Sequence, residues 1–285
     1  MTTQAKAMPL AVGTFGSAVK YIILIGGALI MVLPFVWMVN ASLMTPGEIQ
    51  QQPPIWVPAQ PQFSNFSDVA KTLPFPQLYL NSIIVTGCTV IGVLFTSSIA
   101  GFAFAKYNFP GRNILFYAIL ATMMIPFFIT LIPVFYIIKQ LGMIDSLQGI
   151  IVPSLTSAYG IFLMRQFIRG IPDELIDAAR IDGASEPLIY FRIVLPLIGP
   201  ALATLGTFTF ISSWNSFLWP LLVLDKPELF TIPLGLNTLR GFASEAKNLH
   251  LLMAGTTLSV LPSLIVFLFL QRYFVRGIAL TGIKG

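Results

Sequence analysis

Charge is what this sequence has least of. Asp, Glu, Lys and Arg together make up 9% of its 285 residues, where soluble domains carry roughly 25%. With 56% hydrophobic residues beside so little charge, the chain reads as a membrane protein, and the soluble-enzyme reading finds no support. One cysteine, Cys88, excludes an internal disulfide framework; with a single histidine, His250, a multi-residue Cys/His metal site is excluded too. Cys88 reads as a small apolar helix residue and His250 as an interfacial residue at a span boundary. There is no G-x-x-x-x-G-K-[ST] phosphate cradle, so the chain binds no ATP in that manner. HExxH and Ser/His/acid arrangements are missing as well, as are internal repeats and low-complexity tracts.

Charge is also absent from particular places. Uncharged runs cover 21–39, 78–105, 114–138, 147–164, 197–223 and 251–271, each long enough to cross a hydrocarbon core about 30 Å thick. The expected fold is all-α, a polytopic membrane protein with six transmembrane helices. At about 19 residues the first run exceeds the 7–15 of a signal-peptide core, so it reads as an uncleaved span. No Asp, Glu, Lys, Arg or His falls within the six runs, which argues against a proton-coupled carrier and mildly against a charged substrate. Pro126 and Pro133 in the third run, and Pro200 and Pro220 in the fifth, predict kinks. Residues 41–77 contain Pro46, Pro53, Pro54, Pro58, Pro61, Pro74 and Pro76. That is too much proline for a helix or a central strand, and an exposed loop over the membrane face is expected.

The cations that remain set an orientation. With the N-terminus inside, the inner segments hold Lys6, Lys20, Lys106, Arg112, Arg165, Arg169, Arg180, Arg192, Arg272, Arg276 and Lys284, and the outer ones Lys71, Lys139, Lys226, Arg240 and Lys247. This asymmetry places both termini and the 165–196 segment in the cytoplasm. It also accounts for the net charge of +5 without nucleic acid.

The one long charged interruption is Pro172 to Pro200. Pro172 suits a first helical position, Asp173 and Glu174 favour the positive end of a helix dipole, and Gly183 is the residue expected just past a helix end. Ser185 is placed to cap a second short helix whose apolar residues run to Leu195 before Pro196. A helix of about 10 residues is too short to cross the bilayer and must lie on its surface. Ala178 and Ala179 give it a low-profile side that another protein's backbone could approach; a solvated surface loop is the alternative reading. In the fifth run, Ser212, Trp214 and Asn215 combine hydroxyl, aromatic and amide groups suited to a neutral sugar, and are candidates for a substrate path. Trp219 and Pro220 lie nearer the outer boundary and read as an interfacial aromatic belt.

Asp177-Ala178-Ala179, then Asp182-Gly183-Ala184, then Ile193-Val194-Leu195-Pro196 closely resemble the EAA loop of ABC importer permeases, whose pattern is EAA, three residues, G, and later I-x-L-P. Asp177 stands where that family usually has Glu, which keeps the charge one methylene shorter. Asn81-Ser82, Phe102 to Ala105, Phe109-Pro110-Gly111-Arg112, Ile125-Pro126, Ile132-Pro133, the run Trp214 to Pro220 and the ending from Arg276 to Gly285 look like the carbohydrate-importer branch, of maltose or glycerol-phosphate type. The resemblance covers most of residues 78 to 285.

It implies the type I importer permease fold in a bacterial or archaeal plasma membrane, with no catalysis in this chain. Residues 1–77 would form the N-terminal tail, first helix and Pro-rich external loop, residues 78–274 a five-helix core, and residues 275–285 a cytoplasmic tail reaching the ATPase. The implied partners are a second permease subunit, an ATPase dimer that binds ATP and Mg²⁺, an extracytoplasmic solute-binding protein, a sugar and membrane lipid. Asp177, Ala178, Ala179, Asp182, Gly183 and Ala184 would couple to the ATPase. Two alternatives remain at this stage, a glycerol-phosphate-type permease and an ATPase-independent facilitator.

Overall fold

The computed structural model describes residues 11–243 and 248–281, and no strand occurs among them. The chain falls into two compact units, Met1–Val69 with Leu239–Leu258, and Ala70–Thr238 with Ser259–Gly285. Lys6, Lys247, Lys284 and the ends of both predicted tails lie outside the described residues.

In the first unit α1 (Ala11–Ser42) is 32 residues long, about 48 Å at 1.5 Å per residue. It exceeds the predicted span because no proline interrupts residues 11–20. Its large apolar residues from Val19 to Val39 are mostly exposed, a surface suited to lipid or a partner helix. The Pro-rich segment contains more structure than proline content suggested. Asn65 is buried and donates through Nδ2 to the carbonyls of Ser42 and Met44, both at 2.9 Å. The Glu48 carboxylate accepts from the backbone N–H groups of Thr45 at 2.9 Å and Ala59 at 3.0 Å. A helix, α2 (Ser64–Thr72), occupies the proline-free stretch between Pro61 and Pro74. His250, one residue into the helix Leu249–Thr281, is buried.

The second unit is organised on α3 (Phe75–Lys106). Its exposed face is apolar, with Leu80, Ile83, Ile91, Phe95 and Ile99, whereas its buried face carries Asn81, Ser82, Thr86, Thr89, Ser97 and Ser98. A helix that is apolar on its outward face and keeps its amide and hydroxyl groups inward, among Leu78, Val85, Val93 and Phe102, suits lipid surroundings. Cys88 lies on the exposed face. Each of the next three predicted runs is bent. Helices α4 (Arg112–Thr122) and α5 (Phe127–Gln140) meet at 101°, because Pro126 is extended, with ψ 138°, and caps α5. Pro133, by contrast, is tolerated inside α5. Helix α6 (Leu147–Ile151) continues through a 3₁₀ turn to Ser154, and α7 (Ala158–Arg169) follows at 41° with Ser157 as its N-cap.

After α8 (Asp173–Ile181) the chain continues through α9 (Glu186–Ile189), a π turn at Tyr190–Val194 and α10 (Leu195–Leu197). Helix α11 (Gly199–Trp214) then leaves at 78° to the 186–197 segment. The helical path thus passes through Pro196, expected to end it, and α11 stops well before the predicted end of the fifth run. A separate α12 (Leu218–Val223) follows, then α13 (Ile232–Ala243) and α14 (Leu249–Thr281). Three helical segments among the described residues, Val19–Ser42, Phe75–Lys106 and Leu249–Gln271, are long and apolar enough to cross a membrane; counting each bent pair as one crossing gives six.

Glycine sets the α3–α7 approach. A Cβ on Gly101 would lie 2.6 Å from the Met164 Cβ and 2.9 Å from the Arg165 nitrogen, and one on Gly160 would meet the Ser97 hydroxyl. The buried cluster of Val93, Phe102, Met164, Ile168, Ile176, Ile189, Val194 and Leu205 carries this packing from the spans into the charged loop.

Candidate functional site

Helix α8 is built as its sequence requires, one residue out of register. Pro172, with ψ 135°, is the N-cap rather than the first helical residue. At the other end Gly183 has φ +77°. Its N–H donates to the Arg180 carbonyl at 3.0 Å, and the Ala184 N–H to the Ala179 carbonyl at 2.9 Å, a Schellman closure. Ser185 stands at the N-cap of α9 without a side-chain bond, and the Ile189 N–H donates to its carbonyl at 3.0 Å.

The 3.6-residue period sorts the faces of α8. Ile176 is buried and Ala179 half-buried against the core, as is Ala184 just beyond the helix. Asp177, Ala178, Asp182 and Gly183 are exposed, and Ile181 is 86% exposed. The two alanines therefore divide: Ala178 faces out and Ala179 faces in. Ile181, an apolar side chain, is the most prominent residue of the outward side.

Sequence reasoning missed what braces this helix. Lys106, the last residue of α3, has a side chain only 5% exposed, and its ammonium donates to the Ile171 carbonyl and the Asp173 carboxylate. The next residue, Tyr107, donates from its hydroxyl to Glu186. Arg180 joins the group by bonding Asp177 at 3.1 Å and Glu186 at 2.8 Å. Burial, and then the neighbouring Glu186 carboxylate, push the Tyr107 phenol up to about 12. The bond from Lys106 holds Asp173 below the ordinary carboxylate range. Tyr190 extends the bracing inward, packing on Phe102 and bonding the Ser98 hydroxyl at 2.6 Å. A long separation in sequence, 106 to 173 and 107 to 186, hid these pairs.

A cavity of about 620 Å³ opens between α3, α5, the α6–α7 break, α11 and α12. Thr89, Thr130, Ser154, Thr209, Ser212, Ser213 and Ser216 line it with hydroxyl-bearing side chains, Phe127, Phe208 and Trp219 with aromatic ones, and among the described residues no charged side chain does. The Thr89 hydroxyl is buried without a partner. Of the three residues expected along a substrate path, Ser212 lines this cavity. Trp214 is buried instead: it stacks on Phe210 at 5.5 Å and donates to the Ser259 carbonyl at 3.0 Å. Asn215 follows α11 as its C-cap and donates to the Ile211 carbonyl at 2.8 Å. Trp219, expected in an interfacial belt, is 6% exposed and donates to the Gly149 carbonyl at 3.1 Å.

A chain with three to six candidate membrane spans, an open hydroxyl-lined cavity and a braced amphipathic helix in its charged loop has the build of a permease subunit. Residues 92–280 match the model of the family described as "Binding-protein-dependent transport system inner membrane component", and the chain belongs to that family. It is 41% identical over 205 residues to the arabinooligosaccharide transport system permease protein AraQ of Halalkalibacterium halodurans, covering 72% of this chain and 73% of that one. It is 35% identical over 265 residues to the sn-glycerol-3-phosphate transport system permease protein UgpE of Pectobacterium atrosepticum, covering 91% and 94%. Among solved structures, a chain of a bacterial ABC transporter involved in import of the acidic polysaccharide alginate matches with a TM-score of 0.82 at 25% identity, covering 94% of this chain and all of that one.

Proposed function

We propose that this chain is one of two transmembrane subunits of an ATP-driven importer for a mono- or oligosaccharide delivered by an external binding protein. The observation that carries the reading is the outward face of α8, where Asp177, Ala178, Ile181 and Asp182 stand exposed while Lys106 and Tyr107 tie the loop to α3. A facilitator has no use for a braced helix outside the membrane. ATP and Mg²⁺ would be bound by a partner ATPase pair, whose closure moves α8 and, through its rigid ties, the spans. Transport then follows from the different affinities of nucleotide and binding protein for two states.

Both termini and the docking loop face the cytoplasm in this reading, following the cation asymmetry. The cavity favours a neutral saccharide. A phosphate or uronate substrate calls for cationic partners, and among the described residues none lines the cavity. UgpE-type relatives covering over nine-tenths of this chain keep glycerol phosphate as the second candidate. Co-expression with its ATPase, followed by disulfide trapping from Ile181→Cys to cysteines placed across the ATPase surface, tests the docking. A crosslink at one surface cleft supports it, and absence of any crosslink in an assembled complex contradicts it.

A further inference from the structure

Three arginines at the ends of α4 and α7 converge, and among the described residues no carboxylate pairs with them. Arg165 sets its guanidinium 4.0 Å from the centre of the Phe116 ring and donates from Nε to the Phe104 carbonyl at 3.2 Å. Phe116 lies one turn after Arg112 on α4, and Arg169 one turn after Arg165 on α7, so both neighbours share the Arg165 face of their helices. The Arg165 guanidinium is within electrostatic reach of the other two. Arg112 donates from Nη1 to the Tyr107 carbonyl at 2.9 Å, while its Nε is buried with no partner. The ion pairs found among the described residues lie elsewhere, at Lys106–Asp173, Arg180 with Asp177 and Glu186, and Lys226–Asp145.

We propose that Arg112, Arg165 and Arg169 form a headgroup site for an anionic phospholipid. Three gathered cations repel one another until an anion sits among them, and the planar fork of guanidinium matches the oxygens of a phosphodiester. The surroundings favour a lipid over a soluble anion. Ile114, Leu115 and Tyr117, next to Arg112 on α4, are all more than half exposed, an apolar surface that an acyl chain covers. Basic pockets at the ends of membrane helices take phospholipid headgroups on this basis. Arg169 stands three residues before Pro172, so a bound headgroup steadies the end of α7 from which the docking helix departs. Assignment to the cytoplasmic leaflet rests on the orientation proposed above; headgroup binding itself does not.

The test uses the full chain in nanodiscs of phosphatidylcholine with or without phosphatidylglycerol, with retained lipid counted by native mass spectrometry after extraction, whether or not an ATPase accompanies it. Wild type is expected to retain phosphatidylglycerol over phosphatidylcholine. Arg169→Gln and the double variant Arg112→Gln/Arg165→Gln should each retain about tenfold less, while Arg192→Gln, which removes an exposed arginine elsewhere, should retain the wild-type amount. Arg169 is exposed, so its variant reports even if the double variant folds poorly. Equal retention by wild type and Arg169→Gln overturns the proposal. So does stabilisation by inorganic phosphate in pure phosphatidylcholine equal to that by phosphatidylglycerol, which marks a free-phosphate site. Loss of ATPase binding in Arg169→Gln with lipid retention unchanged assigns the cluster to a protein contact and overturns it as well.

Discussion

The Tyr107 hydroxyl, one residue past the end of α3, donates to the Glu186 carboxylate at 2.5 Å, and Arg180 holds the other oxygen of that carboxylate at 2.8 Å. This bridge ties the 173–186 segment to the end of α3. Tyr107→Phe removes the bond and keeps the ring, which packs edge-on against Phe102 at 5.3 Å. A bond to a charged acceptor contributes about 1.5–3 kcal/mol when buried, and partial exposure reduces that to about 1 kcal/mol here. Solute moved per ATP hydrolysed should fall about fivefold, with the complex still assembled. An unchanged ratio removes the bridge from the coupling path.

Gly183 tests the closure of α8. Its φ of +77° is costly for a side chain, yet nothing lies within 4 Å of an added Cβ. The penalty is therefore conformational alone. Gly183→Ala should weaken ATPase co-purification by an amount matching about 1–2 kcal/mol, and Gly183→Asn by less, because Asn tolerates this region. Equal losses for the two would point to a steric cause instead.

Acid should loosen the α8 brace at Asp173 and, separately, the Asp145–Lys226 pair. Asp173 is held below its ordinary range by Lys106, and Asp145 by the backbone N–H of Lys226. A depressed carboxylate contributes stability that is present above its unfolded pKa, about 3.9, and lost as pH falls through the lower folded value. Melting temperature should therefore decline below about pH 4, and less steeply in Asp173→Asn. Identical acid limbs in the two proteins would show that the Lys106 contact contributes nothing.

The α3–α7 contact leaves no room at Gly101, where an added Cβ lies 2.6 Å from Met164, whereas Gly87 on the same helix has open space. Gly101→Ala is expected to cost about 1–3 kcal/mol in overpacking and to lower the yield of folded protein in detergent. Gly87→Ala should leave it unchanged. Fluorescence size-exclusion profiles of the two variants compare them directly.

The ends of α8 were legible because Pro172 and Gly183 act through local backbone geometry. So was the placement of the three long apolar spans, which follows from the absence of charge. What escaped the sequence depends on distant partners or on the behaviour of particular prolines. Pro126 breaks the third run by 101° while Pro133 sits inside a helix, and nothing local separates them. Trp214, beside Ser212 and Asn215, reads from sequence as part of a sugar path, but its indole N–H donates to the Ser259 carbonyl, 45 residues away. Trp219 looked like a belt residue near the span end and instead packs beside the cavity. The π turn at Tyr190–Val194 carries no recognisable residue signature.

The central claim is that an external saccharide-loaded protein drives an ATPase through this chain. The direct measurement is ATP hydrolysis by the reconstituted complex, with and without the cognate binding protein and a panel of neutral oligosaccharides and sn-glycerol-3-phosphate. The account predicts stimulation by the binding protein loaded with a neutral saccharide, abolished when Gly183→Pro breaks α8. No associated ATPase, together with passive solute flux through the chain alone, would contradict it.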